Sequence, residues 1–182
     1  MTKLMKRMEP MRQKTCKTCP RPVASVPAFE GGAGLAVGDM NRNDRADIVV
    51  APYKKGKAHI YLVENMDKGR YKKRKIGTIP AFEGGIGLAV GDMNGDDRQD
   101  IVIAPYKDGK AHIYLVENKD GRRYKKRKIG TVPAFEGGIG LAVGDMNGDE
   151  KLDIVVAPYK DGASNVYIFL NNGDGTFSFN GR

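Results

Sequence analysis

The chain has 182 residues, of which 40% are hydrophobic, 29% are charged and 24 are glycine. Its longest apolar runs hold four or five residues, far short of the ~18 that a membrane-spanning helix needs, which excludes that class of protein. Two cysteines cannot staple a disulfide-rich scaffold. The net charge of +9 is uneven, with +6 on residues 1–26, +5 on 27–79, +2 on 80–132 and −4 on 133–182. This balance permits acidic partners but selects none.

Residues 1–20 are basic, and no apolar stretch follows their charged start. The sequence therefore predicts a disordered tail and no standard secretory signal. Cys16 and Cys19 form one C-x-x-C pair. Zinc would need two further ligands, and a redox site would need a strand-to-helix setting. A disordered tail is favoured, and a metal clip between subunits is the alternative.

The rest of the chain, from residue 21 to residue 182, is built from an internal repeat. Residues 27–79 and 80–132 are identical at 43 of 53 positions, and residues 133–182 form a shorter third copy that diverges after Gly162. A period of about 50 residues is typical of propeller blades and solenoid units. Each copy is therefore predicted to be one supersecondary unit that needs neighbours.

Within the second copy, four short runs rich in Val, Ile and Tyr are separated by Gly, Asp and Asn. This pattern predicts strands over residues 87–93, 100–106, 111–118 and 124–131. Four strands joined by tight turns form an antiparallel meander, the unit of a β-propeller blade. The sequence thus predicts an all-β chain of three four-stranded blades.

The pattern F-x-G-G…V-G-D-x-N-x-D-x-x-x-D-I-V-x-A-P runs from Phe29, Phe82 and Phe135 to the Ala-Pro pairs of each copy. It resembles the FG-GAP repeat of integrin α-chain propellers and of bacterial VCBS proteins. The resemblance covers nearly all of residues 27–182. It implies propeller blades, calcium in the loop between the first two strands of a blade, and an extracellular setting.

In each copy, acids or amides stand at the first, third, fifth and ninth positions of that loop. The sets are Asp39, Asn41, Asn43 and Asp47; Asp92, Asn94, Asp96 and Asp100; and Asp145, Asn147, Asp149 and Asp153. Such oxygen donors suit Ca²⁺, and no His or Cys in the loop favours zinc or copper. The alternative is that Asp, Asn and Gly merely form a good turn.

The loops depart from the family pattern at the sixth position, which is usually glycine. It is occupied by Asp44, Asp97 and Glu150, of which Asp tolerates a left-handed backbone better than Glu. The first loop also has Arg42 in place of glycine and Asn43 in place of an acid. We therefore predict that calcium affinity falls from the Asp92 loop to the Asp145 loop to the Asp39 loop.

Basic strings at 71–75 and 124–128 lie on the predicted outermost strands. They fit either an acidic ligand or, as we favour, protection of a sheet edge against aggregation. A nucleic acid partner is disfavoured. His59 and His112 occupy equivalent strand positions, and a role in packing is favoured. No nucleophile–base pair or phosphate-binding loop is visible, so the sequence does not predict an enzyme.

Three blades are too few for a closed propeller, which has about four to eight. Residues 21–26 align with the end of a last strand, opposite the shortened third copy. This predicts a blade completed from both chain ends and a homo-oligomer, most simply a dimer sharing a six-bladed ring. The alternative is a fragment of a longer gene product.

The sequence and the resemblance together predict a non-catalytic, calcium-binding propeller for adhesion or for carbohydrate or protein recognition. The alternatives are an accessory module of a polysaccharide-active enzyme and a protein-interaction scaffold. The compartment stays open between an extracellular setting and one inside the cell.

Overall fold

The structure is a computed structural model that describes residues 22–28, 32–82, 84–135 and 137–179. The first blade contains β1 (Ala33–Gly38), β2 (Asp47–Lys54), β3 (Lys57–Asp67) and β4 (Arg70–Pro80). The second contains β5 (Ile86–Gly91), β6 (Asp100–Lys107), β7 (Lys110–Asn118) and β8 (Tyr124–Pro133). The third contains β9 (Ile139–Gly144), β10 (Asp153–Lys160), β11 (Ala163–Ser164), β12 (Tyr167–Asn171) and β13 (Phe177–Phe179).

Each blade is an antiparallel meander in which the strands lie in chain order. The registers of the first two blades coincide: Gly38 lies opposite Asp47, and Gly91 lies opposite Asp100. The described residues contain no helix, and accordingly none that could cross a bilayer. The predicted all-β fold and its three blades are confirmed. The predicted tail at residues 1–20, with its two cysteines, lies outside the described residues.

The second and third strands of each blade are joined by two-residue turns. Lys55 and Gly56 have φ of 49° and 75°, and Asp108 and Gly109 have φ of 51° and 73°. Positive φ at both central residues defines the type I′ turn, whose twist matches that of the flanking strands. Glycine at the second position allows this turn in every copy.

The predicted strand at 87–93 extends too far. The strand ends at Gly91, because Asp92 and Met93 belong to the following loop, where the Met93 amide donates to the Asp100 carboxylate. The other strand ends differ from prediction by one or two residues, as is usual where fraying and hydrogen bonding compete.

The blades pack face to face, and their apolar side chains form two clusters. The first lies between blades one and two and includes Ile60, Leu62, Ile79, Ile101 and Ile103; the second lies between blades two and three and includes Ile113, Leu115, Ile154 and Phe169. The middle blade is covered on both faces, so seven of the eight residues of β6 are buried. A sheet buried on both faces needs near-continuous apolar strands, as β6 has.

The third blade differs from the other two where its sequence diverges. Its fourth strand ends at Phe179, whereas β4 and β8 continue to Pro80 and Pro133. Within the described residues, therefore, no fourth strand lies beside residues 163–166. The third strand is accordingly split into β11 and β12, and β11 pairs only with β10.

We predict that Gly85→Ala destabilises the chain by about 1–3 kcal/mol, the usual effect of overpacking. A methyl group there would overlap the carbonyl oxygen of Gly137 and lie 2.7 Å from the Ile139 nitrogen. Gly77→Ala is the control, because its methyl group would meet only Ile60, at an ordinary 3.8 Å. Equal denaturation midpoints in urea for the two variants would contradict this packing.

Candidate functional site

The three aspartate-rich loops connect the first two strands of each blade, so they lie along one edge of the blade array. They span residues 39–46, 92–99 and 145–152. All twelve predicted metal-binding residues lie in these loops or at the first position of the following strand. The repeat therefore places three equivalent polar loops beside one another.

The first aspartate of each loop organises the backbone around it. In the second loop, Asp92 Oδ1 accepts amide hydrogens from Asn94, Gly95 and Asp96 at 3.3, 2.8 and 3.2 Å, and Oδ2 accepts one from Asp97 at 2.7 Å. The same four bonds recur around Asp145. A carboxylate that accepts several amide hydrogens is favoured in its charged form.

The pKa of Asp145 reflects this environment. The amide of Glu150 and the amides beside it hold the pKa of the Asp145 carboxyl below its ordinary value. The same bonds fix the sixth loop residue with φ of 60° at Asp44, 61° at Asp97 and 64° at Glu150. The expectation that this position is left-handed is confirmed.

The third and fifth residues turn their side chains toward the same stretch of backbone. Asn94 Oδ1 accepts the Asp96 amide at 3.0 Å, the amide that Asp92 also contacts. Asp96 Oδ1 in turn accepts the Arg98 amide at 2.9 Å. The third loop repeats this pattern with Asn147, Asp149 and Lys151. Oxygens of the first and third residues thus lie against one amide in both loops.

The ninth residue is buried and ties the loop to the third strand of its own blade. Asp100 is fully buried, and its oxygens accept the amides of Asn118 at 2.7 Å and Met93 at 3.3 Å. Burial raises the pKa of Asp100 to about 6, and the nearby acids Asp96 and Asp92 add to the effect. Asp47 and Asp153 make the corresponding bonds.

The donor set of these loops consists of oxygens alone, the chemistry that calcium prefers. Each carboxylate or amide oxygen has two lone pairs, so acceptor capacity remains on oxygens that take one amide hydrogen, such as Asp92 Oδ2 and Asp96 Oδ1, whereas Asp92 Oδ1 already accepts three. Within the described ranges, however, no three side chains of His, Cys, Asp or Glu converge as a metal cluster. The calcium assignment stays a prediction.

The first loop differs from the other two in the way that its sequence suggests. Arg42 has φ of 61° where the others have Gly95 and Gly148. Its guanidinium donates to the carbonyl oxygens of Asp96 at 2.7 Å and Asp97 at 3.1 Å in the second loop. Asn41 Oδ1 is buried and has no hydrogen-bond partner among the described residues. The Arg42 guanidinium therefore joins the first loop to the second.

A cleft of about 370 Å³ separates the second and third loops. Its lining includes Asp92, Asn94, Glu150, Lys151 and Asn171. Sequence reasoning missed this cleft, because its walls come from different repeats. The only sequence signal was the equivalent position of the loops, which predicts that they are neighbours once blades stack.

The basic strings join blades as well as covering an edge. Arg74 pairs with Glu64 at 2.8 Å, lies 5.5 Å from the centre of the Tyr124 ring, and contacts the carbonyl oxygen of Gly121. These partners belong partly to the next blade. Such cation–π and charge-assisted contacts favour Arg. A bridging role was not predicted from the sequence.

The histidines have a structural environment. His59 Nε2 lies 3.2 Å from the carbonyl oxygen of Lys54, and His112 Nε2 lies 3.1 Å from that of Lys107. Burial lowers the pKa of both imidazoles, which favours their neutral form. Each ring connects the two strands of one hairpin, as the packing interpretation expects.

We predict that Asp100→Asn lowers the free energy of unfolding by about 1–3 kcal/mol in chelator, because the new amide group would face an N–H donor. Asp97→Asn is the control, since that side chain is 94% exposed and Asn tolerates positive φ. Denaturation in urea measures both. Similar losses would show that burial of Asp100 does not hold the loop.

Comparison with solved structures identifies a lectin with a similar fold. Residues covering 80% of this chain superpose on 37% of a lectin from Agrocybe aegerita, with 20% identity and a TM-score of 0.52. That lectin is described as specifically recognising non-reducing terminal N-acetylglucosamine. This chain spans well under half of the lectin's length, and the likeness concerns the fold alone. No curated protein sequence matches the chain.

The FG-GAP-like repeat matches residues 39–103, 92–156 and 145–182. Each match begins at the first aspartate of a loop, and the three together cover most of the chain. The resemblance inferred from the sequence is thus confirmed, and the chain belongs to the FG-GAP-like repeat family.

Proposed function

We propose that this chain is a non-catalytic, calcium-binding propeller module that presents a recognition surface for a glycan or protein ligand. The observation that carries the proposal is the row of equivalent aspartate-rich loops at one edge of the blades, with a cleft lined by charged, amide and apolar groups between two of them. Family membership and the fold shared with a lectin support it. Fold alone does not determine function, so the loops and the cleft are what matter.

Calcium would be held first by the second loop, through Asp92, Asn94, Asp96 and Asp100. When bound, the ion would supply positive charge that offsets repulsion among these acids. The third loop has the same donors but carries Glu150 at the left-handed position. The first loop has fewer acids, and the guanidinium of its Arg42 contacts the second loop. The first loop is therefore the weakest candidate.

The cleft between the second and third loops is the proposed recognition site. It carries both signs of charge, on Glu150 and Lys151, and amide groups that donate and accept hydrogen bonds. Amide and charged groups of this kind can pair with sugar hydroxyls or with polar protein groups. Calcium in the flanking loops would hold the cleft walls in place.

The chain is proposed to work as a homo-oligomer, because Leu35 and Val37 of the first blade are exposed where the equivalent face of the second blade is covered by its neighbour. The alternatives are an accessory module of a polysaccharide-active enzyme and a protein-interaction scaffold. Turnover of a polysaccharide by the purified chain would favour the first. Selective binding of a protein, with no glycan retained, would favour the second.

We predict that Asp92→Ala abolishes the tightest calcium-binding step, that Asp145→Ala removes a weaker one, and that Asp39→Ala has the smallest effect. The order follows from the acids and the left-handed residue in each loop. Isothermal titration of chelator-treated protein measures it. Asp108→Asn, an acidic turn residue outside the loops, is the control. Equal effects of the three alanine variants would contradict the order.

We predict that, on a glycan array, the calcium-loaded chain binds sugars that end in N-acetylglucosamine. These sugars are tested first because the similar fold is that of a lectin. Lys151→Ala should weaken this binding at least tenfold, because Lys151 lines the cleft. Lys110→Ala, in an exposed hairpin turn, is the matched control. An array without hits would contradict the glycan part of the proposal.

A further inference from the structure

We propose that two copies of this chain close a six-bladed ring head to tail. In this ring the first blade of each chain packs against the third blade of the other, and residues 22–28 complete the partner's last strand. The inference gives geometry to the proposed homo-oligomer, and it stands whether or not the ring binds calcium or a glycan.

Contacts within the chain define how one blade follows another. The first strand of each blade turns small residues toward the next blade. Large residues on the first strand of that next blade pack against them. A methyl group at Gly34 would lie 2.8 Å from Leu88 Cβ and 3.2 Å from Ile86. One at Gly87 would lie 2.8 Å from Leu141 Cβ and 3.0 Å from Ile139. Both interfaces of the chain thus use one packing arrangement.

The same two surfaces are left open at the ends of the array. Leu35 and Val37 in β1 are 63% and 59% exposed, whereas Leu88, in the corresponding position of β5, is 7% exposed. At the other end, Gly140 contacts only its own blade, and a methyl group at Gly144 would meet nothing. One end therefore has unpartnered large residues, and the other has unpartnered small ones.

A polar contact repeats across each interface and is missing at the ends. Asn118 Nδ2 donates to the carbonyl oxygen of Met40 at 2.8 Å, and Asn171 Nδ2 donates to that of Met93 at 2.9 Å. Met40 and Met93 are 1% and 2% exposed, but Met146 is 51% exposed. Asn65 Nδ2 makes no such bond within the described ranges. Asn65 and Met146 are the two halves of the contact that would join chains.

The segment 22–28 already lies where the fourth strand of a preceding blade would run. Lys73 Nζ donates to the carbonyl oxygen of Ser25, just as Lys126 Nζ donates to that of Thr78 in β4. Ser25 thus occupies the place that Thr78 has beside the following blade. Among the described residues, no preceding blade lies at this end of the array for the segment to join.

In the part of the third blade that the structure describes, no such half-strand lies beside residues 163–166. Val166 is 65% exposed, whereas Ile60 and Ile113, its equivalents, are fully buried beneath the ends of β4 and β8. Ala28 is exposed, whereas Ala81 and Ala134 are each 1% exposed. Adding residues 22–28 of a second chain along 163–166 would pair Val26 with Ser164 and bury both regions.

Two chains are the smallest closed assembly that meets these requirements. Both end faces are open in the same chain, so the chain does not satisfy them itself. A head-to-tail interface gives a ring if it closes and a filament if it does not. Two chains give six blades, within the usual range of about four to eight, and three would give nine.

The interface between chains differs from the internal ones at Ala33 and at Ala46, the latter standing where Gln99 and Leu152 lie against Gly38 and Gly91. Ala33 stands where Ile86 and Ile139 fill the other two interfaces. Ala33→Ile would restore the missing apolar contact. We expect it to lower the dimer dissociation constant at least about a hundredfold, because the ring has two such interfaces and each gains about three buried carbon atoms.

The first experiment measures mass by sedimentation equilibrium at micromolar concentration, in calcium and again in chelator. Wild-type chain is expected to have the mass of two chains, and Leu35→Glu and Ala142→Lys each that of one. Mixing these two variants should restore a two-chain species, because one interface is then native and the other pairs Glu with Lys. Met66→Glu, exposed away from both end faces, is the control and should stay paired.

A single-chain mass for wild type, or an open series of polymers, would overturn the ring. Failure of the mixed variants to pair would overturn the head-to-tail arrangement. Calcium and glycan binding are measured separately, so their loss leaves this result unaffected. Circular dichroism of each variant establishes that it is folded.

The second experiment tests the strand register. Val26→Cys and Ser164→Cys, in a chain with Cys16→Ser and Cys19→Ser, should form a disulfide between chains, because directly opposed strand residues lie within disulfide reach. Val23→Cys with Ser164→Cys is the out-of-register control. A crosslink within one chain, or equal crosslinking by both pairs, would overturn the proposed pairing.

Discussion

A propeller blade is a thin sheet with two apolar faces, and burial of both faces is the constraint on which this structure depends. The middle blade meets it completely, as the burial of β6 shows. The outer blades meet it on one face each. The cleft and the contacts of Arg42 and Arg74 with the next blade follow from how the blades stack, because each is formed by residues from adjacent copies.

The aspartates of the loops have two roles that compete. The first and ninth residues accept backbone amides and so contribute to the shape of the loop. The same oxygens are the ones that calcium would need. Burial disfavours the charged form of Asp100 and raises its pKa, the amides of Asn118 and Met93 oppose this effect, and a bound cation would oppose it further. A loop that is already ordered lowers the entropic cost of binding.

Local patterns in the sequence predict most of this fold. Alternating β-branched residues, type I′ turns and a repeat of 53 residues determine strands and blades, because these features depend on neighbours in the chain. The twelve loop residues could also be located. What sequence reasoning missed depends on contacts between copies, such as Arg74 against Tyr124 and the walls of the cleft. Identical repeats hide such contacts, since the sequence does not show which copy faces which.

Arg42 has a further consequence for the folding of such a chain. Two copies that differ at only ten of 53 positions offer nearly equivalent partners, so strands of one blade can pair with those of another and create kinetic traps. The backbone of Arg42 is left-handed, which is unfavourable for a residue other than glycine, and its side chain donates a hydrogen bond to the second aspartate-rich loop. Only the first copy carries this side chain. The interface between the first and second blades is therefore chemically different from the interface between the second and third, where Gly95 stands in place of Arg42.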